Sequence, residues 1–297
     1  MLPNDVAAVL QPFLEGPVRH HAAVGGGCIA HACRIETDPA GRGQAVRTYF
    51  LKWSRGKAAA SFLAEQAGLE ALQAANSPLT IPDVIATRAA SDDAPGFLLM
   101  EWIETGKRTS AFWEHFGRGL ATLHRHTENQ YGFETDNFIG RLPQPNGWET
   151  SWPTFFRRRR LAPQVAMARE SGRWQTAWDA PLGALYSRLD DVLPAHPEAS
   201  VLHGDLWSGN FLATSTGAVA LIDPAAYYGH RETDLALTEL FGGFDARFYT
   251  AYREAWPLEP GYEVRRDVYN LYHLINHLNH FGGSYARSVQ AVLGKLG

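Results

Sequence analysis

The feature of this sequence that most limits its fold is a change of character near residue 104. Before it, runs of strand type (HACRIET at 31–37, AVRTYFLKW at 45–53 and GFLLMEWIE at 96–104) are separated by Gly, Pro and Asp clusters. Between the second and third lies KAAASFLAEQAGLEALQAA, in which Phe62, Leu63, Leu69 and Leu72 keep helical spacing among alanines and stop before Asn76 and Pro78. Beyond residue 104 the chain reads mostly as helices, among them SAFWEHFGRGLATLHRH at 110–126 and RRDVYNLYHLINHLNHF at 265–281. The second carries an apolar stripe of Val268, Leu271, Tyr272, Ile275 and Leu278. The order predicts an α+β chain of two lobes, a small β-rich lobe over 1–103 and a larger helical lobe over 104–297. One segment at 131–153, YGFETDNFIGRLPQPNGWETSWP, is predicted to be a long ordered loop, and long ordered loops tend to be functional.

Charge and cysteine content exclude several function classes. A balance of 27 Lys+Arg against 31 Asp+Glu, net −4, offers no general attraction to nucleic acid or to anionic membrane. The first thirty residues lack a basic start followed by a long apolar run, and no apolar stretch of about 20 residues occurs elsewhere. The two cysteines, Cys28 and Cys33, make neither a disulfide framework nor a zinc cluster. A soluble, cytoplasmic protein is expected.

The chemistry concentrates in VLHGDLWSGN at 201–210. Asp205 and Asn210 stand five positions apart, and Asp223 follows thirteen later. The intervening FLATSTGAVALI reads as two short strands around a Ser-Thr-Gly turn, which returns the chain and sets Asp223 beside Asn210. Phosphoryl transfer gives each of the three a role: Asp205 as the base for an acceptor hydroxyl, Asn210 and Asp223 as hard oxygen ligands for Mg²⁺. A kinase also needs a strand lysine for the ATP phosphates, a helix glutamate to hold it, and a glycine-rich turn over the phosphates. Lys52 in YFLKW, Glu65 in the following helix, and Gly25, Gly26 and Gly27 in VGGGCIAHACRI supply them in the right order. Each has a plainer reading alone: a glycine triplet is usually a turn, a strand lysine an edge residue, and Glu65 a solvated helix position. The H-x-D-x-x-x-x-N spacing is the specific signal.

HGDLWSGN, continued by IDPAAYYGHRETDLALTELFGGF and NHLNHFG, resembles the fructosamine kinase (ketosamine-3-kinase) family, in the aminoglycoside and choline kinase branch of the protein-kinase-like fold. GGGCI at 25–29, FLAEQAGLEAL at 62–72, LLMEWIE at 98–104 and DNFIGRLPQPNGW at 136–148 carry the resemblance over nearly the whole chain. It implies Asp205 as catalytic base, Asn210 and Asp223 on Mg²⁺, and Lys52 with Glu65 on ATP. Adenine would bond to backbone in the hinge of Met100, Glu101, Trp102 and Ile103, while His203 and Asp234 would support the catalytic loop. The sequence departs from protein kinases where His203-Gly204 replaces His-Arg and Asp223-Pro224-Ala225 replaces Asp-Phe-Gly. Without that arginine or a clear activation segment, switching by loop phosphorylation and action on protein hydroxyls are not expected. The implied reaction moves the γ-phosphate of ATP to the 3-hydroxyl of a ketosamine, free or protein-bound, and leads to deglycation.

On the acceptor side, the Trp207 indole suits the C–H face of a sugar, against a role packing under the loop, and His230 and Glu232 could bond sugar hydroxyls. His273, His277 and His280 share one helix without the acidic partner of H-E-x-x-H, so core or substrate-wall roles are favoured over a metal site. The run FFRRRR at 155–160 is expected to be a solvated helix end, since its arginines point in different directions. Cys28, in the glycine-rich turn, is a candidate redox thiol whose oxidation, or cross-linking of two chains, would inhibit; otherwise a monomer is expected. The alternatives are a kinase of the same fold acting on an aminoglycoside or amino alcohol, and an inactive nucleotide-binding redox sensor. Lys52, Asp205, Asn210 and Asp223 together argue against the sensor.

Overall fold

The computed structural model describes residues 2–25, 30–38, 45–56 and 59–296. Its first third builds a five-stranded antiparallel sheet in the order β1-β2-β3-β5-β4, from β1 (Val18–Ala23), β2 (His31–Thr37), β3 (Arg47–Ser54), β4 (Val84–Arg88) and β5 (Gly96–Glu101). Side chains alternate across a pleated strand, so β5 serves two cores at once. Phe97 and Leu99 join Ile35 and Leu51 against Val6 and Leu10 of α1 (Asn4–Leu10), while Leu98 and Met100 meet Phe62 and Leu69 of α2 (Ala60–Ala74). Burial on both faces explains the unbroken apolar run FLLM.

The small sheet is stitched to the remainder at two places. Leu79, between α2 and β4, belongs to the main core, and its neighbour Thr80 donates to Val219 O (2.8 Å) and accepts from Leu221 N (2.9 Å). Within α2, a Cβ at Gly68 would lie 3.3 Å from Pro224 Cγ and Ala226 Cβ, so the helix leans directly on the stretch that follows Asp223.

The larger part runs in chain order through α3 (Phe112–His124), β6 (Thr127–Glu128), the hairpin β7 (Asn137–Ile139) and β8 (Leu142–Gln144), and α4 (Trp152–Phe155). A π turn at Phe156–Leu161 leads into α5 (Ala162–Glu170), then α6 (Asp179–Val192) and β9 (Ala199–Leu202). The hairpin β10 (Phe211–Ala213) and β11 (Val219–Leu221) follows, then β12 (Tyr227–His230), α7 (Glu232–Leu240), α8 (Ala246–Ala255), α9 (Tyr262–Phe281) and α10 (Ala286–Leu296). This is the α+β, protein-kinase-like arrangement expected. Among the described residues, no helix is long and apolar enough to cross a membrane.

The run of four arginines departs from expectation. Arg158 is exposed, but Arg160 is fully buried, stacked 3.8 Å over the Tyr227 ring and donating to Pro145 O and Asn146 Oδ1, both at 2.7 Å. The π turn carries Arg160 inward, where stacking and carbonyl acceptors replace water around a weakly hydrated guanidinium.

Helices α3 and α8 approach until backbone nearly touches backbone at Gly117, where a Cβ would stand 2.3 Å from Phe248 O and 2.9 Å from Tyr252 N. Gly117→Ala is therefore expected to lower stability by roughly 1–3 kcal/mol despite alanine's better helix propensity, read as a lower urea midpoint.

Candidate active site

The loop 203–210 leaves the buried centre of a three-stranded sheet, β12-β9-β6, and ends where β10 begins. Its start is tied down by one side chain. Asp234, buried in α7, accepts from the backbone N–H groups of His203 (2.8 Å) and Gly204 (2.9 Å), and its Oδ2 lies 3.2 Å from His124 Nε2. Burial works against its charge, but the bond from His124 and the loop amide keep its pKa below the ordinary carboxylate value. Gly204 sits at φ +78° with Ala225 O only 2.1 Å from where a Cβ would be, a position open only to glycine.

Asp205 follows, half-buried. The Asn210 side-chain amide donates to both Asp205 O (2.8 Å) and Asp205 Oδ2 (3.0 Å), which spends its N–H groups and leaves its carbonyl oxygen as an acceptor. Burial pushes the Asp205 pKa up to about 7, against the Asn210 bond and with help from the charges of Asp223 and Asp234. A carboxylate poised near neutrality suits a general base.

The hairpin β10–β11 pairs Phe211 with Leu221, and Ile222 N donates to Asn210 O at 3.1 Å, so the chain does return as expected. Asp223 then takes a left-handed turn, φ +56°, a conformation that aspartate tolerates better than most residues. Lys52 Nζ, reaching down from β3, lies 2.7 Å from Glu65 Oε1 of α2 and 2.6 Å from Asp223 Oδ1. Burial opposes the lysine charge, yet the two carboxylates hold the ammonium above the usual lysine range.

These groups open onto a cleft of about 260 Å³. Lys52, Glu65, Asp205, Asn210 and Asp223 line it together with the tip of the β7–β8 hairpin and Asn276, His277, His280 and Phe281 of α9. Trp207 also lines the cleft and is 41% exposed, its indole laid over Gly209, where a Cβ would come within 2.3 Å of the ring. His280 Nε2 bonds to Ile139 O at 3.1 Å and His277 Nδ1 to His273 O at 2.9 Å. Burial lowers both pKa values, leaving a second ring nitrogen on each free to accept.

One expectation is corrected. His230 and Glu232 do not face the cleft: His230 Nδ1 is 2.7 Å from Tyr269 OH, and Glu232 receives two bonds from Arg265, at 2.6 and 2.7 Å. Both side chains lie in the interior and are satisfied there, leaving nothing for a sugar. At the end of β5, Met100 packs in the small core and Trp102 Nε1 donates to Glu104 Oε2 at 2.9 Å. Gly25 is exposed with open space around it, while Gly26, Gly27 and Cys28 fall outside the described residues. The hairpin tip, Phe138 to Arg141, was missed as a cleft wall, although the glycine in FIGR marks a turn: Gly140 has φ +58°, and a Cβ there would strike His280.

A family model described as fructosamine kinase matches residues 4–296. The chain belongs to that family. It is 39% identical over 287 residues to the probable ketoamine kinase of Synechocystis, covering 95% of this chain and 91% of the relative. To the chloroplastic protein-ribulosamine 3-kinase of Arabidopsis thaliana it is 36% identical over 278 residues, covering 91% and 80%. A crystal structure of a candidate fructosamine-3-kinase from Thermobifida fusca superposes with a TM-score of 0.84 at 30% identity, covering 98% of both chains. In fold alone the chain is also similar to a choline kinase from Streptococcus pneumoniae, with a TM-score of 0.61 at 16% identity over 98% and 97%. Membership in this kinase family makes the chain an ATP-dependent phosphotransferase.

Two outcomes follow from the titrating groups. With Asp205 as the base, kcat/KM at limiting ATP is expected to rise with pH through an inflection near 7, because that carboxyl must first lose its proton; an inflection near 4 would contradict the raised Asp205 pKa. Asp234, whose folded pKa is lowered, contributes stability that is present above the ordinary carboxylate pKa and lost as pH falls through its own. Asp234→Ala is thus expected to lose roughly 3–5 kcal/mol at neutral pH, with the deficit shrinking toward acid in urea titrations.

Proposed function

We propose that this chain phosphorylates the 3-hydroxyl of a ketosamine, with Asp205 as the base that takes the hydroxyl proton, and that the reaction begins deglycation of the amine. The observation that carries the reading is a cleft lined together by Asp205, Lys52, Asn210 and Asp223 and by Trp207, two neutral histidines and an asparagine amide. An aromatic face with several hydrogen-bond acceptors and donors suits a polyol. The names of the relatives, ketoamine kinase and protein-ribulosamine 3-kinase, support the same acceptor class.

The nucleotide side belongs to the lobe of residues 1–103 and the acceptor side to 104–297. Lys52, held by Glu65, would take the ATP phosphates, and the hinge from Met100 to Ile103 would take adenine through its backbone. For Mg²⁺ the donor set fits: an amide oxygen from Asn210 and a carboxylate from Asp223 are hard ligands, and Mg²⁺ commonly takes one or two protein oxygens besides the phosphates. Bound there, it would neutralise charge on the transferring phosphoryl group. Asp205 needs only to accept one proton, because the phosphoryl transition state asks for positioning more than for covalent help.

The product explains why the reaction would lead to deglycation. Phosphate at C3 is a good leaving group beside the C2 carbonyl, so loss of a C1 proton gives an enol that expels it. Water then cleaves the resulting imine, releasing the amine.

The test is ATP- and Mg²⁺-dependent ADP release from the reduced protein with fructosyl-lysine, ribulosyl-lysine, choline and an aminoglycoside. Turnover is expected on a ketosamine and should fall by roughly 10²- to 10⁴-fold in Asp205→Ala, with ATP affinity nearly intact. Turnover only on choline or the aminoglycoside would overturn the acceptor.

A further inference from the structure

Behind Asp234 lies a line of buried polar side chains from three helices. Arg231, at the N-cap of α7, donates to Pro257 O (2.5 Å) and Trp256 O (3.3 Å), stacks 4.2 Å from the Trp256 ring, and donates to Tyr252 OH at 3.2 Å. Tyr252 of α8 sets its hydroxyl 2.8 Å from His124 Nδ1, in the last turn of α3. His124 Nε2 in turn is 3.2 Å from Asp234 Oδ2. Tyr252 and His124 have no solvent exposure, and Arg231 has 5%.

Chemistry fixes the direction of every bond in this line. A guanidinium can only donate, so the Tyr252 oxygen accepts from Arg231 and its own O–H is left for His124 Nδ1. A ring nitrogen that accepts carries no proton, so the proton of His124 is on Nε2 and points at a carboxylate, which can only accept. With the opposite tautomer, a nitrogen lone pair would face the carboxylate in the dry interior. Asp234 then spends its remaining lone pairs on the N–H groups of His203 and Gly204. His203 continues the line: its Nε2 donates to Ile222 O (2.9 Å), and its Nδ1 accepts the N–H of Asp205 at 3.3 Å.

We propose that Arg231, Tyr252 and His124 are positioning residues that act on the reaction through Asp234 and the loop amides. Arg231 is the fixed end, Tyr252 sets the tautomer of His124, and that tautomer holds the Asp234 carboxylate where it orients Asp205. None of the three lines the cleft. The inference rests on Asp205 being the base, as proposed above.

The test combines kinetics with proton placement in the full chain. Tyr252→Phe removes one oxygen and keeps the ring, so its fold should survive; its kcat is expected to fall roughly tenfold, the effect of about one hydrogen bond, with both KM values unchanged. His124→Gln carries an amide nitrogen at the place of Nε2, whereas the amide of His124→Asn falls short of Asp234, so the Asn variant is expected to be roughly tenfold slower than the Gln variant. Nitrogen NMR of the wild-type His124 ring should find its proton on Nε2. A proton on Nδ1 would overturn the proposal, as would kcat values that follow melting temperature alone with Gln and Asn equal. If Asp205→Ala kept its turnover, the base assignment itself would fail, an outcome told apart from the others because the ring proton on Nε2 would still be seen.

Discussion

The cleft depends on one ammonium group shared by three elements. Lys52 of β3 holds Glu65 of α2 and Asp223 of the β10–β11 hairpin's exit at 2.7 and 2.6 Å, so the small sheet, its helix and the larger part meet at a point of opposite charges. An ion pair shielded from water is strong evidence of position and weak evidence of stability, since desolvation offsets much of the attraction. Its value here is geometric. Gly68 lets α2 rest on Pro224 and Ala226, and Thr80 bonds to the strand that leads to Asp223, so packing brings the same elements together that the charges align.

A second constraint acts on the loop that carries Asp205. The protein holds a carboxylate in surroundings that favour its protonated form, and it holds Asp223 in left-handed backbone. Such costs persist only where neighbouring structure over-determines them. Asp234 supplies that determination from below through two amides, and the Asn210 amide supplies it from the side. The β7–β8 hairpin is built with comparable care: Gly140 admits His280 to the hairpin tip, and Gln144, Asn137 and Asn146 knit the hairpin's base to Ala225 and Ala226 by buried hydrogen bonds.

Much of this was legible in the sequence, for identifiable reasons. HACRIET coincides with β2, and α2 and α9 lie within a few residues of their expected bounds, because half-buried strands and amphipathic helices write their period into the chain. β1 and β4 escaped because both are edge strands with little burial and no alternation. The Asp205, Asn210 and Asp223 spacing survived translation into space, since a short hairpin connects them and leaves little freedom. His230 and Glu232 failed for the opposite reason: sequence proximity to Asp223 says nothing of which way a strand faces, and β12 is buried along its length. Arg160 failed because a π turn inside a helix changes the face of a residue without any composition signal. His124 and Tyr252 stand far from the motif in sequence and were invisible until the fold brought them under it.

The most direct test of the account is the position of the phosphate on the product. Phosphorus–proton correlation NMR of the wild-type reaction with ATP and ribulosyl-lysine or fructosyl-lysine is expected to couple the new phosphorus to the proton on C3. The signal should decay into inorganic phosphate as free lysine appears. Phosphorus coupled to a terminal carbon, or a stable phosphate ester with no amine released, would contradict it.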